Sequence, residues 1–191
     1  MKKFLLTVAC CLSALLPLQA QSTHYGTWEW DVLRLGILSP GLDVHRSGLL
    51  AGSELRRNLS DAVSVSVRGE GGMVSVLRKN GSSVGAAFYM SVVGLADRYF
   101  GTPGRTRFFA GGGTGFFYGE RPCTDGADCV NSSTGFLQSG FETYRGVGAV
   151  LRVGTELNHW RLTTELNHPL AKRSPSFVAF QMAYTIGGGY R

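Results

Sequence analysis

Three small groups of polar residues stand out as possible reactive centres. His45 stands two positions from both Asp43 and Ser47, and His168 precedes Ser174 and Ser176 by a short loop. A serine hydroxyl becomes a nucleophile only when a base within hydrogen-bond reach takes its proton. His45, Ser47 and His168 are therefore the catalytic candidates, against the plainer reading that loop histidines are solvated bystanders. The third group is Cys123 and Cys129, six apart in C-TDGAD-C. In an exported chain this spacing reads as a disulfide closing a small loop. A zinc site needs further ligands, and no histidine lies nearby, so no metal is expected.

Other chemistry has no motif to carry it. No phosphate-binding loop, dinucleotide fingerprint or paired-histidine zinc motif occurs. Gly111-Gly112-Gly113 is not followed by a helix pattern or by Lys-Ser/Thr. No cofactor is expected. Basic residues are interleaved with apolar ones rather than clustered with aromatics, which gives nucleic-acid binding no support.

Stepping out to the elements, the chain opens with Lys2 and Lys3, an apolar run from Phe4 to Leu16, and Leu18-Gln19-Ala20. This is the pattern of a secretory signal peptide over residues 1–20, cleaved after Ala20. The run is too short for a membrane anchor helix, and a lipoprotein acylated at Cys10 or Cys11 would leave only a stub of it. Cys10 and Cys11 depart with the signal. Without Lys2 and Lys3 the count falls from 19 to 17 Lys+Arg, against 13 Asp+Glu, so residues 21–191 are mildly basic. No later apolar run is long enough for a membrane helix, but a barrel strand needs only about 9–11 alternating residues. The 27 glycines, with many short alternating runs, point to an all-β chain.

Eight alternating segments follow. The first is Tyr25–Leu38, with Leu33, Leu35 and Ile37 on one face and Trp30, Val32 and Arg34 on the other. Ser47–Arg57 is the second, and Asn58–Asp61 is read as a turn, in preference to a helix over Glu54–Ala62. Ala62–Val74 sets Val63, Val65 and Val67 opposite Ser64, Ser66, Arg68 and Glu70. Charges face lipid only at a cost, so the valines are read as outward. Asn80-Gly81 marks the next hairpin, and the fourth strand spans Ser83–Leu95, with Asp97–Gly104 as a link. The fifth, Arg105–Gly119, has ambiguous facing. The loop from Glu120 to Gln138 is the longest. Gly140–Leu157, Trp160–Asn167 and Ser176–Ile186 form a closing meander, joined by Asn158-His159 and by the basic loop His168–Pro175.

The alternation projects Arg34, Glu54, Arg56, Arg68, Glu70, Arg152, Glu156, Arg161 and Glu165 inward, as a charge network in the lumen. An eight-stranded barrel is only wide enough to be filled by side chains, so paired charges there form a plug and no open pore. With the amino end on the periplasmic side, the turns at Asn58 and Asn158 fall inside and the cysteine loop outside.

Over the whole mature chain, this pattern resembles the small eight-stranded outer-membrane barrels of Gram-negative bacteria, the OmpX/OmpA-like families. The signal ending at Ala20, the segments ELRRNLSD (Glu54–Asp61) and GTELNHWRLTTELN (Gly154–Asn167), and the Gly-rich aromatic last strand carry the resemblance. It departs from them at its end, where Arg191 follows Tyr190 in place of a terminal aromatic. The resemblance implies an all-β, eight-stranded antiparallel up-and-down transmembrane β-barrel in the outer membrane, monomeric, with a structural or surface-interaction role. Its expected partners are outer-membrane lipid, lipopolysaccharide and a surface protein. Arg78, Lys79, Lys172 and Arg173 are the lipopolysaccharide-contact candidates. One alternative is a membrane-embedded lipid A-modifying acyl hydrolase or transferase using His45 or His168. A weaker one is a soluble exported barrel holding a small apolar ligand.

Overall fold

A computed structural model describes residues 28–40, 47–77, 84–101, 106–122, 141–171 and 174–187. Eight strands run in chain order: β1 Trp28–Pro40, β2 Gly48–Ser60, β3 Val63–Leu77, β4 Val84–Phe100, β5 Arg107–Pro122, β6 Phe141–Leu157, β7 Trp160–Pro169 and β8 Phe177–Ile186. Each pairs antiparallel with the next, and β1 pairs with β8 from Trp30↔Ile186 to Pro40↔Phe177, closing the sheet into a barrel. The fold is an all-antiparallel, up-and-down, eight-stranded β-barrel. Closure matters because an open edge would leave backbone N–H and C=O groups unpaired.

The two-residue period of a strand sorts the side chains. In β3, Val67 is 60% exposed on the outside while Arg68 is fully buried inside. In β7, Trp160, Leu162 and Leu166 face out, and Arg161, Glu165 and Asn167 face in. The outer belt is therefore apolar nearly throughout, and the charges are inside.

The lumen is layered. Toward the end that carries the longer connections, Leu38, Leu50, Val74, Tyr89, Phe117 and Phe177 pack into an apolar cluster. Tyr89 and Phe177 meet edge to face with centroids 4.4 Å apart. Toward the end with the two-residue turns lies the charge network. At one of those turns, Asn158 adopts φ 54°, a left-handed conformation that asparagine tolerates better than most residues.

Several expected boundaries and facings shift. β2 continues to Ser60, so Asn58 lies inside the strand with a buried side chain, and the turn moves to Asp61-Ala62. The segment Asp97–Phe100, expected as a link, belongs to β4 and points Asp97 and Tyr99 inward. The apolar inward residues Val93 and Leu95 hide this continuation, because they make that part of β4 apolar on both faces. β5 extends past Gly119 to Pro122, and its facing is resolved: Phe109 and Phe117 point in, Phe108 and Phe116 out.

Trp30 is the clearest correction. It was expected on the face of Arg34, but it is 49% exposed on the outside while Arg34 is buried. The register against β2 moves from Asp31↔Glu54 to Arg34↔Gly52, one residue more on β1 than on β2. That is a β-bulge, and it leaves Val32 and Leu33 both outward and reverses the phase.

Glycines mark where strands leave no room for a side chain. A Cβ on Gly113 would collide with the carbonyl oxygen of Gly94, whereas one on Gly69 meets nothing within 4 Å. Gly113→Ala should therefore destabilise the barrel by about 1–3 kcal/mol, as overpacking does, while Gly69→Ala should be neutral or slightly stabilising. Urea unfolding of the folded protein in lipid vesicles, followed by tryptophan fluorescence, measures both.

Candidate functional site

The lumen network begins from the residues the strands place at alternate positions. The structure places all nine expected charges, Arg34, Glu54, Arg56, Arg68, Glu70, Arg152, Glu156, Arg161 and Glu165, on the inner face and buries each of them. It adds Glu29, Asp31, Asp97 and Arg107, which the sequence reading missed. Six arginines thus meet seven carboxylates in this half of the lumen, so the network is close to neutral.

Glu54 and Asp97 are held by Arg152 in a double fork. The guanidinium donates to Glu54 Oε1 and Oε2 at 2.8 Å each, and to Asp97 Oδ1 at 2.8 Å and Oδ2 at 2.5 Å. Arg34 donates to Asp31 on its own strand at 3.1 Å, to Glu54 on the neighbouring β2 at 2.7 Å, to Glu165 on β7 at 3.0 Å, and through Nε to Gln181 on β8 at 2.9 Å. Arg161 donates to Asp97 at 2.7 Å, to Glu156 at 2.6 Å and to the Tyr99 hydroxyl at 2.9 Å. Its guanidinium also stacks 3.7 Å from the Phe109 ring centroid. Fork-shaped guanidinium groups suit such bidentate, partly stacked pairing better than ammonium groups would.

The network has two extensions. Toward the turn end, Arg56 joins Glu29, Asp31 and Glu156, Asn58 donates to Glu29 at 2.7 Å, and Arg107 reaches Glu156 at 2.6 Å. Toward the apolar cluster, Arg68 pairs with Glu165 and with Glu70 at 3.1 Å, and Glu70 accepts from the Tyr89 and Ser91 hydroxyls at 3.1 Å each. The carboxylates are thus each tied to a guanidinium, and the arginines are shared between strands on opposite walls. Chemically, the arrangement is a cross-brace, with its acids and bases already spent on one another.

The missed members have readable signals. Glu29 and Asp31 alternate with Trp28 and Trp30 in WEWD, but the bulge puts that alternation out of phase with Arg34. Asp97-Arg98 looked like a loop pair. In the strand it splits instead, with Asp97 inward and Arg98 outward.

The other expected site residues divide. His168 lies at the far end of β7 with its side chain outward, and its Nδ1 is 2.7 Å from the Ser176 hydroxyl. Among the described residues no carboxylate hydrogen-bonds to this histidine. Ser174 turns away, donating to the carbonyls of Pro169 and Ala171. Ser47 is described and exposed, and its carbonyl accepts from the Ser75 hydroxyl at 3.1 Å. His45, Cys123, Cys129, Arg78, Lys79, Lys172, Arg173 and the signal segment 1–20 lie outside the described residues.

An apolar belt around a closed sheet, with a charge-paired lumen, defines a small transmembrane β-barrel. Among solved structures, the chain is similar to the N-terminal β-barrel domain of OprF from Pseudomonas aeruginosa, with 13% identity and a TM-score of 0.50 over 85% of this chain and 99% of that one. It is also similar to Ail, the attachment invasion locus protein of Yersinia pestis, crystallised with the heparin analogue sucrose octasulfate, with 10% identity and a TM-score of 0.48 over 87% of this chain and 97% of that one. Likeness at these identities is one of fold. No family model matches the chain, and no curated protein matches it.

The central brace sets the first mechanical expectation. Removing one partner of a buried ion pair leaves its neighbours uncompensated, at a cost of about 3–5 kcal/mol. Arg152→Met takes the bidentate partner from both Glu54 and Asp97, leaving them the hydrogen bonds from Arg34 and Arg161, and should fall at the lower end of that range. Arg98→Gln, on the outer face, should change stability by less than about 1 kcal/mol. Equilibrium unfolding in urea compares them.

Proposed function

We propose that this protein is an integral outer-membrane barrel with a structural or surface-interaction role and no conducting pore. The observation that carries this is the reversed polarity of the barrel. Large apolar side chains such as Leu35, Val67, Leu151 and Phe180 stand at least half exposed on the outside, while Arg34, Arg56, Arg68 and Arg161 are fully buried within. A soluble barrel with an apolar ligand chamber needs the opposite arrangement. Two consecutive seals oppose conduction, the apolar cluster around Tyr89, Phe117 and Phe177 and the braced network beneath it. The remaining interactive surface is then the set of outer connections, with Arg78, Lys79, Lys172 and Arg173 offered to lipopolysaccharide phosphates or a surface protein. Export by a signal cleaved after Ala20 and a Cys123–Cys129 disulfide complete the reading.

The folded protein should migrate faster on a gel before boiling than after, and should give no steady channel conductance in a planar bilayer. The mass of the purified protein should correspond to a chain beginning at Gln21 with two hydrogens lost to the disulfide. Discrete ohmic channels, or a monomer that stays soluble without detergent, would sink the reading.

A second reading rests on one observation, the 2.7 Å contact between His168 Nδ1 and the Ser176 hydroxyl on the outward face. A base that close to a hydroxyl is the minimum for nucleophilic attack on a lipid ester. If the pair is an acyl hydrolase, lipid A from cells making the wild-type protein will lack an acyl chain that cells making Ser176→Ala retain. Identical mass spectra remove the enzyme.

A further inference from the structure

An apolar depression with a cation at its edge lies on the described part of the outer wall. A trough of about 860 Å³ crosses the outward face from the β4–β5 pair, over β6 and β7, to β8 and β1. Small side chains, Ala110, Thr155 and Thr164, lie along it, and the rings of Phe108 and Phe180, each more than half exposed, stand beside it. Phe100 lines the end nearest the tips of β4 and β5.

Arg98 sits at that end. It is directly opposite Ala110 in the β4–β5 register, and its guanidinium lies 5.6 Å from the Phe100 ring centroid. Its side chain is outward and exposed, and among the described residues no carboxylate forms an ion pair with it. Thirteen described arginines and carboxylates are braced inside the barrel, whereas the Arg98 guanidinium stands on the lipid face. The other described outward arginines do not border this trough. Arg57 stands over Trp28, opposite Val65, and Arg145 stands opposite Tyr118 near the other end of the barrel.

We infer that this face holds an anionic phospholipid of the inner leaflet, its phosphate on Arg98 and an acyl chain laid in the trough. The inference rests on the membrane reading above and adds to it a ligand class and a place. Position supports the leaflet: Arg98 lies two residues from the tip of β4, at the same end as the Asp61-Ala62 and Asn158-His159 turns, and short turns mark the periplasmic end of such barrels. A cation held near an aromatic ring at the interface keeps its charge in the headgroup layer while its stem lies on apolar surface. An anionic headgroup supplies the missing countercharge. A linear hydrocarbon chain fits an apolar trough in which Ala110, Thr155 and Thr164 lie between larger aliphatic side chains and rings.

The test uses lipid-borne bromine as a quencher of the three tryptophans Trp28, Trp30 and Trp160, all about half exposed on the outer wall. The folded full chain is placed in vesicles of phosphatidylcholine containing a minor fraction of phosphatidylglycerol, with one or the other lipid brominated on its acyl chains. One lysine or arginine near a membrane surface favours an anionic lipid by a factor of about 5 at moderate salt. Brominated phosphatidylglycerol should therefore quench as though enriched by that factor over its bulk fraction. Arg98→Gln should return the ratio to about 1. Ala110→Leu, which keeps the charge but fills the trough, should lower the ratio as well, and Arg145→Gln should leave it unchanged. Equal quenching by the two brominated lipids in the wild type overturns the lipid site while leaving the membrane barrel intact. A preference that survives Ala110→Leu, or one lost equally with Arg145→Gln, overturns it too. No quenching by either lipid refutes the membrane reading itself.

Discussion

Buried charge in this barrel survives only where it is paired. Six guanidinium groups and seven carboxylates occupy one half of a lumen with no bulk water to solvate them. An isolated ion in such a place costs several kcal/mol, so every member must find partners with good geometry. That requirement fixes the strand register. Arg152 meets Asp97 from β4 and Glu54 from β2 at once, and Arg34 meets Glu165 from β7 and Glu54 from β2. A one-residue slip of any of these strands would throw its charges outward and break contacts on several others.

The same constraint explains why the outside is so plain. Hydrocarbon offers no hydrogen bonds, so an outer wall must be apolar and its backbone fully paired. The barrel closes β1 on β8, and between β4 and β5 Gly113 passes so close to Gly94 that a side chain has no room there. The brace inside and the belt outside are one solution. Polar groups are collected where they can satisfy one another, and apolar groups are left where lipid replaces the protein core.

How far this was legible in the sequence depended on phase. The closing meander was readable because β6 to β8 keep strict alternation, so Arg152, Glu156, Arg161 and Glu165 fell on one face by counting alone. The bulge at Val32-Leu33 inserts one residue, and counting through it sends Trp30 to the wrong side. β4 misleads differently, because Val93 and Leu95 point into an apolar lumen and remove the contrast that would reveal Asp97 beyond them. The site was therefore two-thirds visible: Glu29 and Asp31 lay where the pattern slipped by one, Asp97 where both faces turned apolar, and Arg107 at the start of β5, whose facing the sequence left ambiguous. The pairing of His168 with Ser176 was accessible as proximity across a loop, yet only the β7–β8 geometry brings the two to 2.7 Å.

The two halves of the lumen answer different needs. A network of paired charges braces walls against each other but leaves donors unserved: Arg56 Nε, Arg68 Nε, Arg161 Nε and Asn167 Nδ2 are buried without a hydrogen-bond partner among the described residues. Such orphans invite water, and water weakens buried electrostatic contacts. The apolar cluster at the loop end meets that weakness. Phe117 and Val93 are completely buried, and Phe177 packs against Tyr89, whose hydroxyl is the last polar link to Glu70. Tyr89 thus belongs to both layers, its ring to the seal and its hydroxyl to the brace. The apolar layer covers the charge network on the side of the loop end. A closed barrel braced by ions needs such a lid, and the order of the layers along the lumen follows from that need.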